Sequence, residues 1–324
     1  MNTNILAGDI GGTKTRLAIV SVQGTAVSIQ REVSYPSAHY AQFDDLLADF
    51  LAQGEMPRRV GLGIAGPIQG RVVNTTNLPW RIDADVLQVR FGFERCTLLN
   101  DLEATACGIP ALGEADWLVL QAGSPQASGN AAVIAAGTGL GEAGLFWDGQ
   151  QHRPFATEGG HTSFSPDNEI ERALLVHLQT QFGHVSWERV VSGMGIVSLY
   201  QFFRAYRQVA EPHWLRDAIT QGDAAAAISQ AGLAQTDAIC VETMQMFVRL
   251  YGAEAGNLAL KTMSSGGLYI GGGIAPKILP LLQSGLFMEG FLHKGRMRPL
   301  LEAMPVKVIL NDRTALFGAA LAVA

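Results

Sequence analysis

The chain opens with an apolar run at residues 5–7, a turn of sequence GDIGGT and a second apolar run at 17–20. Two β-type runs around glycines predict a hairpin with a wide turn. Between residues 42 and 53, Phe43, Leu46, Leu47, Phe50 and Leu51 recur at helical spacing, and Gly54 ends the pattern. Residues 60–64 read as a buried strand broken by Gly66-Pro67, and 71–73 as a short return strand. Residues 97–99 read as a strand that delivers Asn100 and Asp101 at its carboxyl end, followed by a helix as far as Pro110. Strands mixed with helices predict an α/β domain ending near there.

A second unit begins in the same way. The segment AAVIAAGTGLGEAGLFW (131–147) is again apolar run, glycine turn and apolar run, closed by Asp148-Gly149. It echoes ILAGDIGGTKTRLAIV (5–20), with a Gly-Thr pair in each turn, so two domains built on one plan are expected. Residues 168–182, 190–206 and 237–262 have helical spacing. Met244, Phe247, Val248 and Leu258 in the last of these read as a core face. Residues 268–270 and 306–310 read as strands, and Asp312 is placed to cap a small-residue helix running through Leu321.

Composition narrows the class. At roughly 100–200 residues per domain, 324 residues suggest about two domains. The 48% hydrophobic and 16% charged content suits buried cores, and the 37 glycines show no collagen-like period. A net charge of −6 argues against a nucleic-acid partner. No apolar stretch reaches the ~20 residues of a membrane span, and the start MNTNILAGDI lacks a signal-peptide pattern. Cys96, Cys107 and Cys240 are few and widely spaced, as expected of packed or surface thiols in a reducing, cytoplasmic compartment.

Three glycine turns follow apolar strands, at residues 8–13, 137–141 and 271–273. Glycine permits positive φ and close backbone approach, so N–H groups can converge on an anion, with Thr13 or Thr138 adding a hydroxyl. Asp9 repels a bare phosphate but can hold the hydrated Mg²⁺ that accompanies one. An ordinary hairpin turn uses the same residues. The Walker string is absent. Gly139, Gly141 and Gly144 fit a dinucleotide fingerprint, but a strand follows where that motif needs a helix, which argues against an oxidoreductase.

Among polar candidates, a carboxylate at Asp101 can accept the proton of an attacking hydroxyl while Asn100 orients it, or it can simply cap the next helix. Glu158-Gly159-Gly160-His161 can project a carboxylate and an imidazole to one side of a tight turn, suited to vicinal hydroxyls, to a loop salt bridge or to a metal pair. Glu188 alone reads as a solvated helix start.

Together these strings resemble the bacterial glucokinase family, within the sugar kinase/actin-like ATPase superfamily. They are GDIGGTKTRLA, LLNDLEA (98–104), AAGTGLGEA (135–143), EGGHTSFSP (158–166), FGHVSWERVVSGMG (182–195), GNLAL (256–260) and YIGGGIAPK (269–277). They span nearly the whole chain in order. The related repressor–kinase group adds a cysteine-rich zinc motif, and no cysteine lies between Cys107 and Cys240, so no metal ligand set is expected. The resemblance implies an α/β fold of two actin-like (ribonuclease H-like) domains flanking a catalytic cleft. The small domain would hold residues 1–110 plus 301–324, and the large one 111–300. It implies ATP-dependent phosphorylation of D-glucose at O6, with Asp101 as catalytic base and Asn100, Glu158, His161 and Glu188 on the sugar. Asp9, Gly11, Gly12, Thr13, Gly137, Thr138 and Gly139 would address ATP phosphates and Mg²⁺, and Gly271, Gly272 and Gly273 would lie near the adenosine. A cytoplasmic homodimer is implied, with no membrane or nucleic-acid partner. A kinase of fructose or mannose, or a sugar sensor without turnover, is the alternative.

Overall fold

The structure, a computed structural model, describes residues 4–75 and 78–324. Residues 1–3, part of the opening stretch read above for a leader, lie outside them. The chain divides into two compact units: Met1–Trp117 with Arg153–Ala156 and Asn311–Ala324, and Leu118–His152 with Thr157–Leu310.

In the first unit, strands β1 (Ile5–Ile10) and β2 (Lys14–Gln23) form the expected antiparallel hairpin, extended by β3 (Ala26–Pro36). Helix α1 (Phe43–Leu51) buries Phe43, Leu46, Leu47 and Phe50 as its spacing requires, and leads into β4 (Arg59–Ile64). A small antiparallel sheet, β5 (Ile68–Gln69), β6 (Val72–Asn74) and β7 (Arg81–Asp83), precedes α2 (Ala84–Phe91), β8 (Arg95–Asn100) and α3 (Asp101–Gly108). The five-stranded sheet has the order β3-β2-β1-β4-β8, with β1, β4 and β8 parallel. β1 and β4 are apolar almost throughout because both faces of these central strands are covered.

The second sheet and its helices repeat that plan. Strands β9 (Trp117–Gln121), β10 (Ala131–Ala136), β11 (Leu140–Trp147) and β12 (His152–Thr157) are followed by helices α4 (Glu169–Gln179), α5 (Gly193–Arg207), α6 (His213–Gln221), α7 (Ala224–Leu233) and α8 (Ala238–Thr262). Then come β13 (Gly267–Gly271), α9 (Leu279–Gln283), α10 (Leu286–Leu292), α11 (Arg298–Glu302) and β14 (Val306–Ile309). The sheet order is β12-β11-β10-β13-β14-β9, with β10–β11 antiparallel and β10, β13 and β14 parallel. Each sheet is thus a hairpin whose first strand is flanked by parallel strands, which is the doubling suggested by the two Gly-Thr turns. Residues 301–310, assigned from sequence to the first domain, lie in the second unit because β14 pairs with β13.

Helix α12 (Thr314–Leu321) belongs to the first unit and packs on α3, β1 and β4. Asp312 does not cap it: Arg313 occupies the N-cap position, and the Asp312 carboxylate instead accepts Nη2 of Arg16 at 2.7 Å. Small residues here serve close approach. A Cβ at Gly318 would stand 1.7 Å from the carbonyl oxygen of Ala104, and one at Gly108 1.9 Å from that of Thr314. The crossing of α8 and α10 is similar, through Gly252 against the Phe287 carbonyl and Gly290 against that of Arg249. The three cysteines are free, and burial pushes the thiols of Cys96 and Cys107 up to about 12.

Candidate active site

In the first unit, Asp9, Asn100 and Asp101 lie at the carboxyl ends of the parallel strands β1 and β8, where open α/β sheets place their sites. The register aligns Asp9 of β1 with Gly63 of β4, and Ile64 of β4 with Asn100 of β8. Asn100 caps α3: its Oδ1 accepts N–H of Leu102 at 3.0 Å and its Nδ2 donates to the Gly66 carbonyl at 3.4 Å. Asp101 therefore stands at the first helical position, with its Oδ1 on the same Leu102 N–H at 2.9 Å. The cap expected of Asp101 is made mainly by its neighbour. Asp9 has a carboxyl pushed up to about 6, first by burial and then by the charges of Asp101 and Asp312, against the pull of Arg16 and Lys14. The turn after β1 is braced by Ser37, whose Oγ donates to the Gly11 carbonyl at 2.8 Å and whose N–H donates to that of Thr13 at 3.0 Å. Gly12 and Thr13 lie at its tip before β2 begins, Thr13 exposed.

In the second unit the turn after β10 closes through Gly137 N–H on the Gly139 carbonyl at 2.8 Å, with Thr138 between them. The carbonyl of Gly137 accepts the N–H of Gly193, so the N-terminus of α5 abuts this turn. Sequence reading missed Gly193; the string Ser192-Gly193-Met194-Gly195 was its only signal, with Ser192 as N-cap. The third turn joins the same place: a Cβ at Gly272 would lie 2.4 Å from the Ala136 carbonyl, and Ile274 N–H donates to that carbonyl. Gly271 ends β13 as a buried residue and Gly273 faces open space. The expectation that these turns exploit positive φ holds only at Gly272 (φ 82°). Gly11, Gly137 and Gly139 lie outside the left-handed region. At Gly139 the requirement is contact, since a Cβ would lie 2.3 Å from Oε2 of Glu188.

Glu188 is placed by backbone pairing. Phe164 N–H donates to Val185 and Trp187 N–H to Thr162, so the segment carrying Glu188 runs antiparallel to the one after His161. The Glu188 side chain is only 18% exposed and its Oε2 accepts N–H of Leu140 at 3.0 Å, so it is no solvated helix start. His161 Nδ1 lies 3.9 Å from Glu188 Oε1, and His161 Nε2 lies 3.8 Å from Glu158 Oε2. Glu188 thus joins Glu158 and His161 from a separate segment, at separations that leave lone pairs and N–H groups for a polyhydroxylated ligand. The two glycines between Glu158 and His161 are forced: a Cβ on Gly159 would meet Oε2 of Glu142, and one on Gly160 the carbonyl of Leu140 at 2.1 Å. Glu142 is a second residue that sequence reading missed.

Near the first glycine turn the carboxylate of Asp9 has that of Asp101 close enough for its charge to be felt; among the described residues no three His, Cys, Asp or Glu side chains form a metal cluster. Carboxylates so placed suit a Mg²⁺ that arrives with nucleotide phosphates and keeps most of its waters.

A doubled α/β unit of this topology, with acid groups at the strand ends and glycine turns beside them, defines a sugar kinase of the actin-like, ribonuclease H-like class. A family model described as Glucokinase matches residues 6–324. A glucokinase of Nostoc punctiforme is 44% identical over 340 aligned positions, covering 99% of both chains. The crystal structure of a glucokinase from an Antarctic psychrotroph superposes with a TM-score of 0.88 at 32% identity, over 99% of each chain. A ROK family glucokinase from Streptomyces griseus, solved in complex with glucose and AMPPNP, shares the fold at a TM-score of 0.67 and 21% identity, over 99% of each chain. The chain belongs to the glucokinase family, and its activity is the phosphorylation of glucose.

Proposed function

We propose that Asp101 is the general base for this reaction and that Asn100, Glu158, His161 and Glu188 bind the sugar hydroxyls. A primary sugar alcohol is a poor nucleophile at neutral pH, so a carboxylate must take its proton as O6 attacks the γ-phosphoryl group of ATP. Asp101 is supported in that role by its position at a strand end, held by the first turn of α3. The observation that carries the sugar assignment is the convergence of Glu158 and Glu188 on either nitrogen of His161. An imidazole between two carboxylates can present donor and acceptor to neighbouring hydroxyls. The turns at Gly11, Gly12, Thr13 and at Gly137, Thr138, Gly139 address the phosphates of ATP, with Gly271, Gly272 and Gly273 toward the adenosine. Asp9 would hold Mg²⁺, which when bound supplies neutralisation of charge on the transferred phosphoryl group.

The test is ADP release with glucose, fructose, mannose and no sugar. Turnover with glucose well above the others is expected, and a preference for fructose or mannose would displace glucose as the substrate. Glucose binding without ADP release would make the protein a sensor. Glu158→Gln and His161→Ala are each expected to raise the glucose KM by roughly tenfold or more, as for loss of a charged hydrogen-bond partner worth about 1.5–3 kcal/mol. The ATP KM should change far less; the reverse pattern would take both residues off the sugar. We also propose a cytoplasmic homodimer. The three free thiols suit a reducing compartment, and light scattering at the mass of one 34.6 kDa chain would refute the dimer.

A further inference from the structure

Beneath the turn 158–161 lies a buried pair of acids that the reaction itself does not use. Glu142, on β11 opposite Ile134 of β10, is 2% exposed, and Glu254, on α8, is fully buried. Oε2 of Glu142 presses on Gly159 so closely that a Cβ there would fall 1.9 Å from it. The Thr157 hydroxyl donates to the Glu142 carbonyl at 3.0 Å and accepts the N–H of Gly159 at 3.3 Å, a second tie between this strand and the turn. Oε1 of Glu142 is buried and finds no N–H or hydroxyl donor, and the Glu142 side chain meets that of Glu254. Glu254 is itself fixed, accepting from Asn257 Nδ2 at 2.7 Å and Lys261 Nζ at 3.5 Å. Two carboxyl groups in such contact within the interior hold one proton between them, because both cannot ionise.

We propose that Glu142 is a positioning residue for sugar binding: hydrogen-bonded to Glu254, it forms the floor on which the turn carrying Glu158 and His161 is seated. One proton held between the two carboxyl groups, both raised by burial, bridges the pair. If it is lost, two negative charges repel within the core, and the side free to yield is the turn, since α8 is clamped against α10 through Gly252 and Gly290. The charged and titratable groups facing the pair are few. From α8 they are Glu254, Lys261 and the Tyr251 hydroxyl; beyond α10 there is Lys294, whose ammonium is itself lowered by burial. The side chains of Glu158 and His161 are largely in solvent, 76% and 61% exposed. Burial, then the Glu254 charge, pushes the Glu142 carboxyl up to about 8, with Lys261 opposing.

The inference rests on the assignment of Glu158 and His161 to the sugar. Its test is the glucose KM from pH 7 to 9, with the ATP KM measured in parallel. In the wild type the glucose KM is expected to rise about tenfold over that span, following one ionisation near pH 8. Glu142→Gln stays neutral and can donate an N–H to Glu254, so it should keep the KM found at pH 7 and lose the alkaline rise. Glu142→Ala lacks the floor and should show a raised glucose KM at every pH. An alkaline rise that persists in Glu142→Gln overturns the proposal. If that variant fails to fold, infrared spectroscopy of the wild type decides, because a protonated-carboxyl band should vanish between pH 7 and 9 and its absence at pH 7 sinks the idea. If Glu158→Gln leaves the glucose KM untouched, the sugar assignment fails instead, whatever Glu142→Gln shows.

Discussion

Asp101→Asn is expected to lower kcat by roughly 10³-fold, within the range carried by a general base, while glucose affinity stays close to that of the wild type. The substitution is nearly isosteric and leaves the local fold its supports. Asn100 continues to cap α3 through its bond to Leu102 N–H, and an amide oxygen at position 101 can keep the second bond to that group. An acid in the first turn contributes only about 0.3–1 kcal/mol through the helix dipole, so the melting temperature should move little. The group removed is the one that can accept a proton from O6. Steady-state ADP release measures the loss, and calorimetric titration with glucose measures what is retained. Near-normal turnover in this variant would rule out Asp101 as the base. A loss of glucose binding equal to the loss of rate would instead make Asp101 a sugar ligand.

What could be read from sequence, and what could not, divides by the range of the interaction. The hairpins at 5–20 and 131–147 were legible because each is an apolar run, a glycine turn and an apolar run in continuous sequence, and their resemblance announced the doubled plan. Asn100 and Asp101 were legible because a strand end is a local feature. Glu188 on its own was not, since its place depends on pairing of residues 162–164 with 185–187 across a loop and a helix. Glu142 was hidden for a different reason. A glutamate in a strand normally marks a solvent-facing position, and only its partner on α8, more than a hundred residues away, shows that it is buried. Asp312 stands where a cap belongs, yet the guanidinium of Arg16 is a stronger partner for its carboxylate than backbone N–H groups. The glycines of α3, α8, α10 and α12 carried no readable signal, because a glycine inside a helix reads as a weakness until the crossing helix is known.

That last point yields the largest expected effect on stability. Gly318→Ala should destabilise the protein by at least about 3 kcal/mol, beyond the usual cost of a single overpacked methyl group. Intrinsic propensity points the opposite way, since Ala in a helix interior is favoured over Gly by roughly 0.8–1.0 kcal/mol, so the sign of the change decides which effect wins. The added Cβ would meet the Ala104 carbonyl carbon at 2.8 Å and the Gly108 amide nitrogen at 2.6 Å, as well as the Ala104 oxygen. All are main-chain atoms of α3, which cannot rotate aside as a side chain could. Separating the helices is also resisted from behind, because the carbonyl of Ala319 fills the space where Gly61 of β4 lacks a side chain. The change therefore propagates to β4 and to the strand ends that hold Asp9 and Asp101, and activity should fall with stability. Urea unfolding of Gly318→Ala beside Gly183→Ala makes the comparison, since a Cβ on Gly183 meets nothing within 4 Å and should cost less than about 0.5 kcal/mol. Equal midpoints for the two variants would show that α3 and α12 do not cross backbone to backbone. A stabilised Gly318→Ala would show that helix propensity outweighs the crossing at this site.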